Sequence, residues 1–319
     1  MRVVSRSCSV AVVIPVYHAR FLAAALESVF LQSHVPDELI VVNDGSSDEA
    51  SMHRALAPYG SRVRLITQSN QGAGAARNHG IREARSELIA LLDADDRWLP
   101  HFLREQVRRF VDDPRLDLSY TDGVYIGQTP LAGRTFMSTC PSQVPVTLER
   151  LLAQECTVLL SSVVARRTGL IEAGLFDPDI RRGQDFDLWL RMSRRGARLS
   201  YVPQVLVLRR EHQNNLSGSP IDEIERPLAV LRKALRTMPL QDRERAVACR
   251  RIRTLEAALA KEHGKAHLQA GNFQAARDAL DQARADVHAW KVRAARLALR
   301  IVPRLVRRVY LARVASAAS

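Results

Sequence analysis

The chain has 319 residues, 46% of them apolar, with a formal charge of +13 at pH 7 and a pI near 10.4. That is enough apolar content for a real core in one large domain or two smaller ones, and the basic surplus favours anionic partners such as nucleotides, nucleic acid or anionic lipid. No apolar run approaches the ~20 residues that would span a bilayer, which excludes a hydrophobic spanning helix.

Cys8, Cys140, Cys156 and Cys249 are scattered without a C-x-x-C pair and read as reduced thiols of a cytosolic chain. The N-terminal "MRVVSRSCSVAVVIPVY" has too short an apolar run, and no small-residue cleavage site before Pro15 and Tyr17, to read as a signal peptide. The chain is expected to be soluble or attached to a membrane surface.

The apolar, β-branched stretch 9–16 predicts a buried first strand. A helix is expected over about 21–32, with Leu22, Leu26, Val29 and Phe30 on one face. "ELIVVND" predicts a second strand that ends at Asp44, and "GSSDEA" a turn into a helix. "RVRLITQS" predicts a third strand, "NQGAGAARNHGIREAR" a glycine-rich loop running into a helix, and "ELIALLDADD" a fourth strand. Four alternations of strand and helix within the first hundred residues predict an α/β domain with a mostly parallel sheet, in which ligands bind at the carboxyl ends of strands.

From 100 to 217 helix and strand mix. "DLSYTDGVYIGQ" reads as a strand or as a hairpin about Asp122-Gly123. "QDFDLWLRMSRRG" predicts an amphipathic helix with Phe186, Trp189 and Leu190 on one face and Gly196 at its C-terminal cap. After about 221 alanine, arginine and leucine dominate and strand signals vanish. The expected division is therefore 1–219 and a helical region, 220–319. Within the latter, "AHLQAGNFQAARDALDQA" resembles one tetratricopeptide-type hairpin that turns at Gly271-Asn272, too little for a solenoid.

Several motifs carry chemistry. Asp93 and Asp95 alternate after an apolar strand, so in extended backbone both point the same way, as a hard divalent cation requires. A solvated loop, with Asp96 capping the following turn, is the plainer alternative. Gly72-x-Gly74 after a strand suggests a dinucleotide fingerprint, but Arg77 replaces the third glycine. A backbone approach to an anion, with Arg77 adding charge, is simpler. "NDGSSD" lacks the spacing of a calcium loop. Asp185 falls in the first turn of its helix, where the dipole favours the ionised carboxylate needed of a general base, or of a mere cap. His212 reads as a metal ligand or a surface histidine.

Together, and in this order, "VAVVIPVYHARFLAAALESVFLQ", "ELIVVNDGSSDEA", "NQGAGAARNHGI", "ELIALLDADDRWLP" and "GLFDPDIRRGQDFDLWLRMSRRG" resemble the inverting family 2 glycosyltransferases of GT-A fold, a Rossmann-like, mostly parallel sheet flanked by helices. The resemblance covers roughly 9–217. It implies that Pro15, Val16 and Tyr17 line a nucleotide pocket, that Asp44 holds the base, usually uracil or thymine, and that Arg77 lies near the nucleotide. It implies that Asp93 reaches the ribose or the metal and that Asp95 ligates Mg²⁺ or Mn²⁺ on the diphosphate, with His212 near them. Asp185 would be the catalytic base, with Ser161 and Ser162 beside the acceptor.

Gln184 stands where the family often has Glu, which bears on acceptor binding, and His18 stands where Asn is commoner. The activity implied is transfer of a sugar from a UDP- or dTDP-linked donor to a hydroxyl in surface glycan or lipid-linked oligosaccharide assembly. The alternatives are a sugar nucleotidyltransferase, which wants an Arg-bearing glycine loop straight after the first strand where "PVYHARF" stands, and a non-catalytic scaffold acting through its C-terminal helices.

After Asp286 no acid follows, whereas Lys291, Arg293, Arg296, Arg300, Arg304, Arg307, Arg308 and Arg313 do. Trp290, Leu297 and Ile301 form a helical stripe beside Arg293, Arg296 and Arg300. The stretch 290–313 is expected to lie on an anionic membrane surface; a solvated helix, or one that packs on the protein or in an oligomer, is the plainer alternative, and nucleic acid is a third reading for which no binding fold accompanies the charge.

Overall fold

A computed structural model describes residues 8–212, 219–282, 294 and 297–318. They form two compact units, Met1–Asn215 and Leu216–Ser319.

In the first unit every residue of β1 (Val10–Val16) is buried. Its apolar residues run without alternation because helices cover both faces of a parallel sheet. The chain continues through α1 (Leu22–Phe30), β2 (Glu38–Asp44), α2 (Glu49–Leu56), β3 (Arg64–Gln68), α3 (Ala73–Glu83) and β4 (Leu88–Leu91). Strands β3, β2, β1 and β4 are adjacent and parallel. The chain steps outward from β1 to β3 and then returns to β1's other side. The carboxyl ends of β1 and β4 therefore flank a topological switch point, where a crevice opens in such sheets.

After β4 come β5 (Arg97–Trp98), α4 (Phe102–Asp112), β6 (Leu118–Gly127), α5 (Leu148–Ala153), β7 (Val164–Arg166), α6 (Arg167–Glu172), α7 (Gln184–Arg194) and β8 (Leu199–Glu211). They extend the sheet to eight strands in the order β3-β2-β1-β4-β7-β6-β8-β5. Strand β7 is antiparallel to β4 and β6, and β5 is antiparallel to β8. The sheet has to curl. In a flat sheet β4 and β5 would lie four strand spacings apart, about 19 Å. The six residue steps from Leu91 to Arg97 reach only about 20 Å at full extension. They are not extended, because the N–H of Asp96 donates back to the carbonyl of Asp93 at 3.1 Å. The curl thus brings the end of β8 over the turn that follows β4.

One expected alternative is corrected: no hairpin forms at Asp122-Gly123. The segment is a single ten-residue strand, β6, running parallel to β8 with register shifts at 121/122 and 122/123. The Asp122 carboxylate accepts from the N–H groups of Gly123 and Met137, which satisfies the irregular backbone without a reversal.

Helix α3 crosses close over the sheet. A Cβ on Gly80 would lie 2.5 Å from Cγ1 of Val13 and 3.3 Å from Cγ2 of Val42. Gly80→Val is expected to lower stability by about 1–3 kcal/mol through overpacking, read as a drop in the urea midpoint with the slope unchanged.

The second unit is helical. Helix α8 (Pro220–Thr237) starts in a capping box between Ser219 and Asp222. Helix α9 (Asp242–Ala270) ends at Gly271, whose φ of +81° is the left-handed geometry a glycine adopts most cheaply. The chain then folds back as α10 (Phe273–Gln282). Leu268, Ala276 and Leu299 form a small core with Phe273, Leu280, Val306 and Tyr310, the last two from a final helix, Pro303–Ala318. Among the described residues no helix is long and apolar enough to cross a membrane. Trp290, Lys291, Arg293 and Arg296 lie outside the described residues.

Candidate active site

Three carboxylates gather on the turn after β4. Asp93, Asp95 and Asp96 each place an oxygen within 4.8 Å of the others. The sequence expectation put Asp93 and Asp95 in extended backbone; they sit on a turn instead, and the turn gathers the third acid. Ser161 braces it: its hydroxyl accepts from the N–H of Asp93 at 3.2 Å and bonds the Asp96 carboxyl, while its carbonyl accepts from the Trp98 indole at 2.6 Å. From β8, the N–H of Arg210 donates to Asp96 Oδ1 at 2.7 Å and the Arg210 guanidinium to the carbonyl of Asp95 at 3.1 Å. His212 Nε2 lies 3.0 Å from Asp95 Oδ2. Phe21 packs under this corner, 5.2 Å from the His212 ring and 4.5 Å from the Arg210 guanidinium.

The electrostatics of the turn follow from crowding. Burial pushes the Asp96 carboxyl well above the usual range, and the charges of Asp95 and Asp93 push it further. Burial and Asp93 likewise raise Asp95, against the hydrogen bond from His212. Carboxylates held this close resist ionising together unless a cation joins them. Their hard oxygens, with an imidazole beside them, suit Mg²⁺ or Mn²⁺.

Helix α3 lines the opposite wall. Arg77 is buried and its Nη2 lies 2.5 Å from Asp93 Oδ1; its guanidinium sits 5.5 Å from the centre of the Phe176 ring, and its Nε has no partner among the described residues. Next to it the Asn78 amide grips Phe176 at both backbone groups, donating to the carbonyl at 2.7 Å and accepting from the N–H at 2.9 Å. Phe176 belongs to the loop that leads to α7, so α3 fixes where α7 begins.

Helix α7 carries Asp185 in its first turn, close to Arg77 and Asp93. Burial raises the Asp185 pKa; the N–H of Phe186, the Arg77 guanidinium and its own N–H pull it back, and Asp93 adds to the rise. Gln184 lies against α3: a Cβ on Gly74 would be 1.5 Å from Gln184 Oε1, so the missing side chain of Gly74 is what seats this amide. Oε1 itself has no hydrogen-bond partner among the described residues. Asp187 in the same turn has a different task. It is buried and paired with Arg191 at 2.8 Å, and Arg191 in turn binds the carbonyls of Ala173 and Leu175.

The expected site residues therefore fall into two groups. Asp93, Asp95, His212, Arg77, Gln184 and Asp185 cluster at the carboxyl ends of β1 and β4. Tyr17 is there too, 45% exposed and edge-on to His18 at 4.6 Å, whereas the side chains of Pro15 and Val16 are buried and shape the wall from behind. Asp44 is 3% exposed and already accepts from Gln68 Nε2 and from the N–H groups of Gln71 and Gly72. It ties down the glycine-rich loop. Ser161 and Ser162 are fully buried; the Ser162 hydroxyl donates to the carbonyl of Leu159 and accepts from the N–H of Thr121. These hydroxyls hold the frame and present no free face to an acceptor. Asp96 as a member of the cluster, Arg210 and Phe21 escaped the sequence reading. The "RREH" spacing, which puts Arg210 and His212 two apart at the end of β8, was the available signal.

Residues 11–156 match the model of glycosyl transferase family 2. An uncharacterized glycosyltransferase of Rickettsia felis is 30% identical over 185 residues, 58% of this chain and 30% of that protein. The chain thus spans about a third or less of the length of the first curated relatives it matches. Among solved structures, S. aureus TarS 1–349 in complex with UDP-GlcNAc superposes with a TM-score of 0.63 at 17% identity, covering 95% of this chain and 90% of that one. The mannosyltransferase PcManGT of Pyrobaculum calidifontis, in complex with GDP-Man and Mn²⁺, superposes with a TM-score of 0.63 at 19% identity, covering 98% and 87%. At these identities the likeness is one of fold.

Proposed function

We propose that the chain, whose residues 11–156 match the model of glycosyl transferase family 2, moves a sugar from a nucleoside-diphosphate sugar to an acceptor hydroxyl with inversion at the anomeric carbon. The observation that carries this reading is the meeting of two acid systems in one crevice, a three-carboxylate turn and a separate, half-buried aspartate, with Arg77 between them. Support for the donor class comes from the neighbours of like fold, which hold UDP-GlcNAc and GDP-Man. The exposed Tyr17 offers a ring face for a base, which with the sequence motifs favours a UDP- or dTDP-linked donor.

Asp93 and Asp95, with Asp96 behind them and His212 at their side, would hold Mg²⁺ or Mn²⁺. Such an ion, when bound, offsets the negative charge of a diphosphate leaving group. The chain's own residues do the rest. Asp185, ionised at the N-terminus of α7, accepts the proton of the acceptor hydroxyl as that oxygen bonds to the anomeric carbon. The bond from that carbon to the phosphate oxygen breaks, and the electron pair leaves with the nucleoside diphosphate. Arg77 neutralises Asp93 and keeps Asp185 charged. Gln184, its amide seated against α3 at Gly74, would set the first turn of α7, and with it Asp185, beside the acceptor. One displacement from the face opposite the leaving group inverts the centre.

On this reading 1–219 is the transferase domain and 220–319 a helical accessory region. The acceptor belongs to surface glycan or lipid-linked oligosaccharide assembly, at the cytoplasmic face of a membrane. The test is nucleotide release from a panel of UDP-, dTDP- and GDP-sugars with Mn²⁺ or Mg²⁺, since slow hydrolysis needs no known acceptor. Metal-dependent turnover of one donor, lost on chelation, is the expected outcome. No donor turned over or bound by any member of the panel would overturn the reading in favour of a non-catalytic scaffold.

A further inference from the structure

The basic segment near the end of the sequence divides its side chains between two faces. Leu299 is buried, and Val306 and Tyr310 pack beside it on Leu268, Ala276, Phe273 and Leu280. Arg307 belongs to this inner face, its guanidinium donating twice to the carbonyl of Gln269 at 3.0 and 3.1 Å. With these residues spent on its own unit, the segment needs no further partner to be held in place.

The outer face is another matter. Leu297, Ile301, Leu305 and Val309 recur every four residues and are 60, 69, 56 and 47% exposed. Four large aliphatic side chains exposed at this spacing, two before and two after the helix break at Val302-Pro303, are not the scattered exposure ordinary on a soluble surface. Arg300, Arg304 and Arg308 recur with the same period and are also exposed. From 287 onward the sequence has eight Lys or Arg and no Asp or Glu. Aliphatic side chains flanked by guanidiniums fit a surface that is negatively charged outside and apolar beneath. An acyl-chain layer under anionic headgroups has that order, with the stems of arginine lying along the apolar layer and the heads in the phosphates. A protein groove would have to supply the same apolar floor and anionic rim. Nucleic acid would supply the anions but nothing for the leucines.

We propose that Leu297, Ile301, Leu305 and Val309, flanked by Arg300, Arg304 and Arg308, form a docking face for an anionic bilayer surface. The face binds in the plane of the membrane and does not cross it. It deepens the proposed function by saying how a water-soluble donor and a membrane-borne acceptor meet, but it stands on the helical unit alone and is tested without any sugar.

The test is sedimentation of the full chain with vesicles of neutral phosphatidylcholine and with vesicles carrying about a third phosphatidylglycerol. Binding to the anionic vesicles and little to the neutral ones is expected. Each arginine near the surface contributes about fivefold, so the Arg300→Gln, Arg304→Gln, Arg308→Gln triple variant should bind roughly a hundredfold more weakly. Ile301→Glu with Leu305→Glu should abolish binding while the thermal melt is unchanged, because both side chains are already exposed. Donor hydrolysis should be the same in all variants, which separates failure of this proposal from failure of the transferase reading.

Equal binding to both vesicle types, or none, overturns it. So does a wild-type dimer that Ile301→Glu and Leu305→Glu turn into a monomer without changing vesicle binding, which would assign the face to a second copy. Oligonucleotide binding lost in the arginine variant while vesicle binding stays would assign the charge to nucleic acid.

Discussion

Asp185→Asn is expected to lower kcat by about 10²–10⁴-fold, the usual worth of a positioned general base, and to leave donor binding nearly unchanged. Asparagine keeps the volume and still accepts from the N–H of Phe186, so the first turn of α7 stays capped. What it loses is the ability to take a proton. The loss should therefore appear in kcat and not in the donor's dissociation constant, measured by displacement of a fluorescent nucleotide. Asp187, two residues on, is the internal control. Its carboxylate is buried against Arg191, which holds the carbonyls of Ala173 and Leu175. Asp187→Asn should weaken the fold around Phe176 and lower the melting temperature, with kcat falling only as far as that loop loosens. If Asp187→Asn stops turnover at full stability while Asp185→Asn does not, the base has been assigned to the wrong carboxylate.

How the chain announces such a site is uneven. Strand ends are legible because apolar runs stop at polar residues, and Asp44, Asp93 and Tyr17 lie where those runs stop. The alternation of strand and helix gave the parallel half of the sheet for the same reason. What is illegible depends on contacts across the chain. His212 meets Asp95 over 117 positions, and Arg210 meets Asp96 over 114, because the sheet curls. No local pattern encodes that curl. Asp122-Gly123 has hairpin chemistry, but the pairing of β6 with β8 along its whole length overrides the turn preference. Ser161 and Ser162 look like exposed polar residues ahead of a strand. Their hydroxyls are taken up by backbone groups of the acidic turn and of β6, a use that single-sequence reasoning has no means to distinguish from acceptor contact.

Removing the positive charge of Arg77 should produce the second large effect, and on two observables. Its side chain is 7% exposed and sits on Asp93, which is 32% exposed. Breaking a buried ion pair from one side costs about 3–5 kcal/mol, and Arg77→Gln should fall at the lower end because water still reaches Asp93. The second effect is on the pH profile. Asp185 works as a base only when ionised, and burial already raises its pKa above the ordinary range. Arg77 acts against that rise. Without it the pKa climbs further, the carboxylate protonates earlier as pH falls, and the acidic limb of kcat moves to higher pH. Arg77→Gln should thus be most defective at low pH and regain part of its rate as pH rises. Arg77→Lys, which keeps the charge but not the planar contact with Asp93 and Phe176, should hold the limb near its original place while recovering only part of the stability. A uniform loss of rate at every pH, identical in the two variants, would mean that Arg77 serves only to position Asp93. The charge of Asp185 would then be set by the N-terminus of α7 alone.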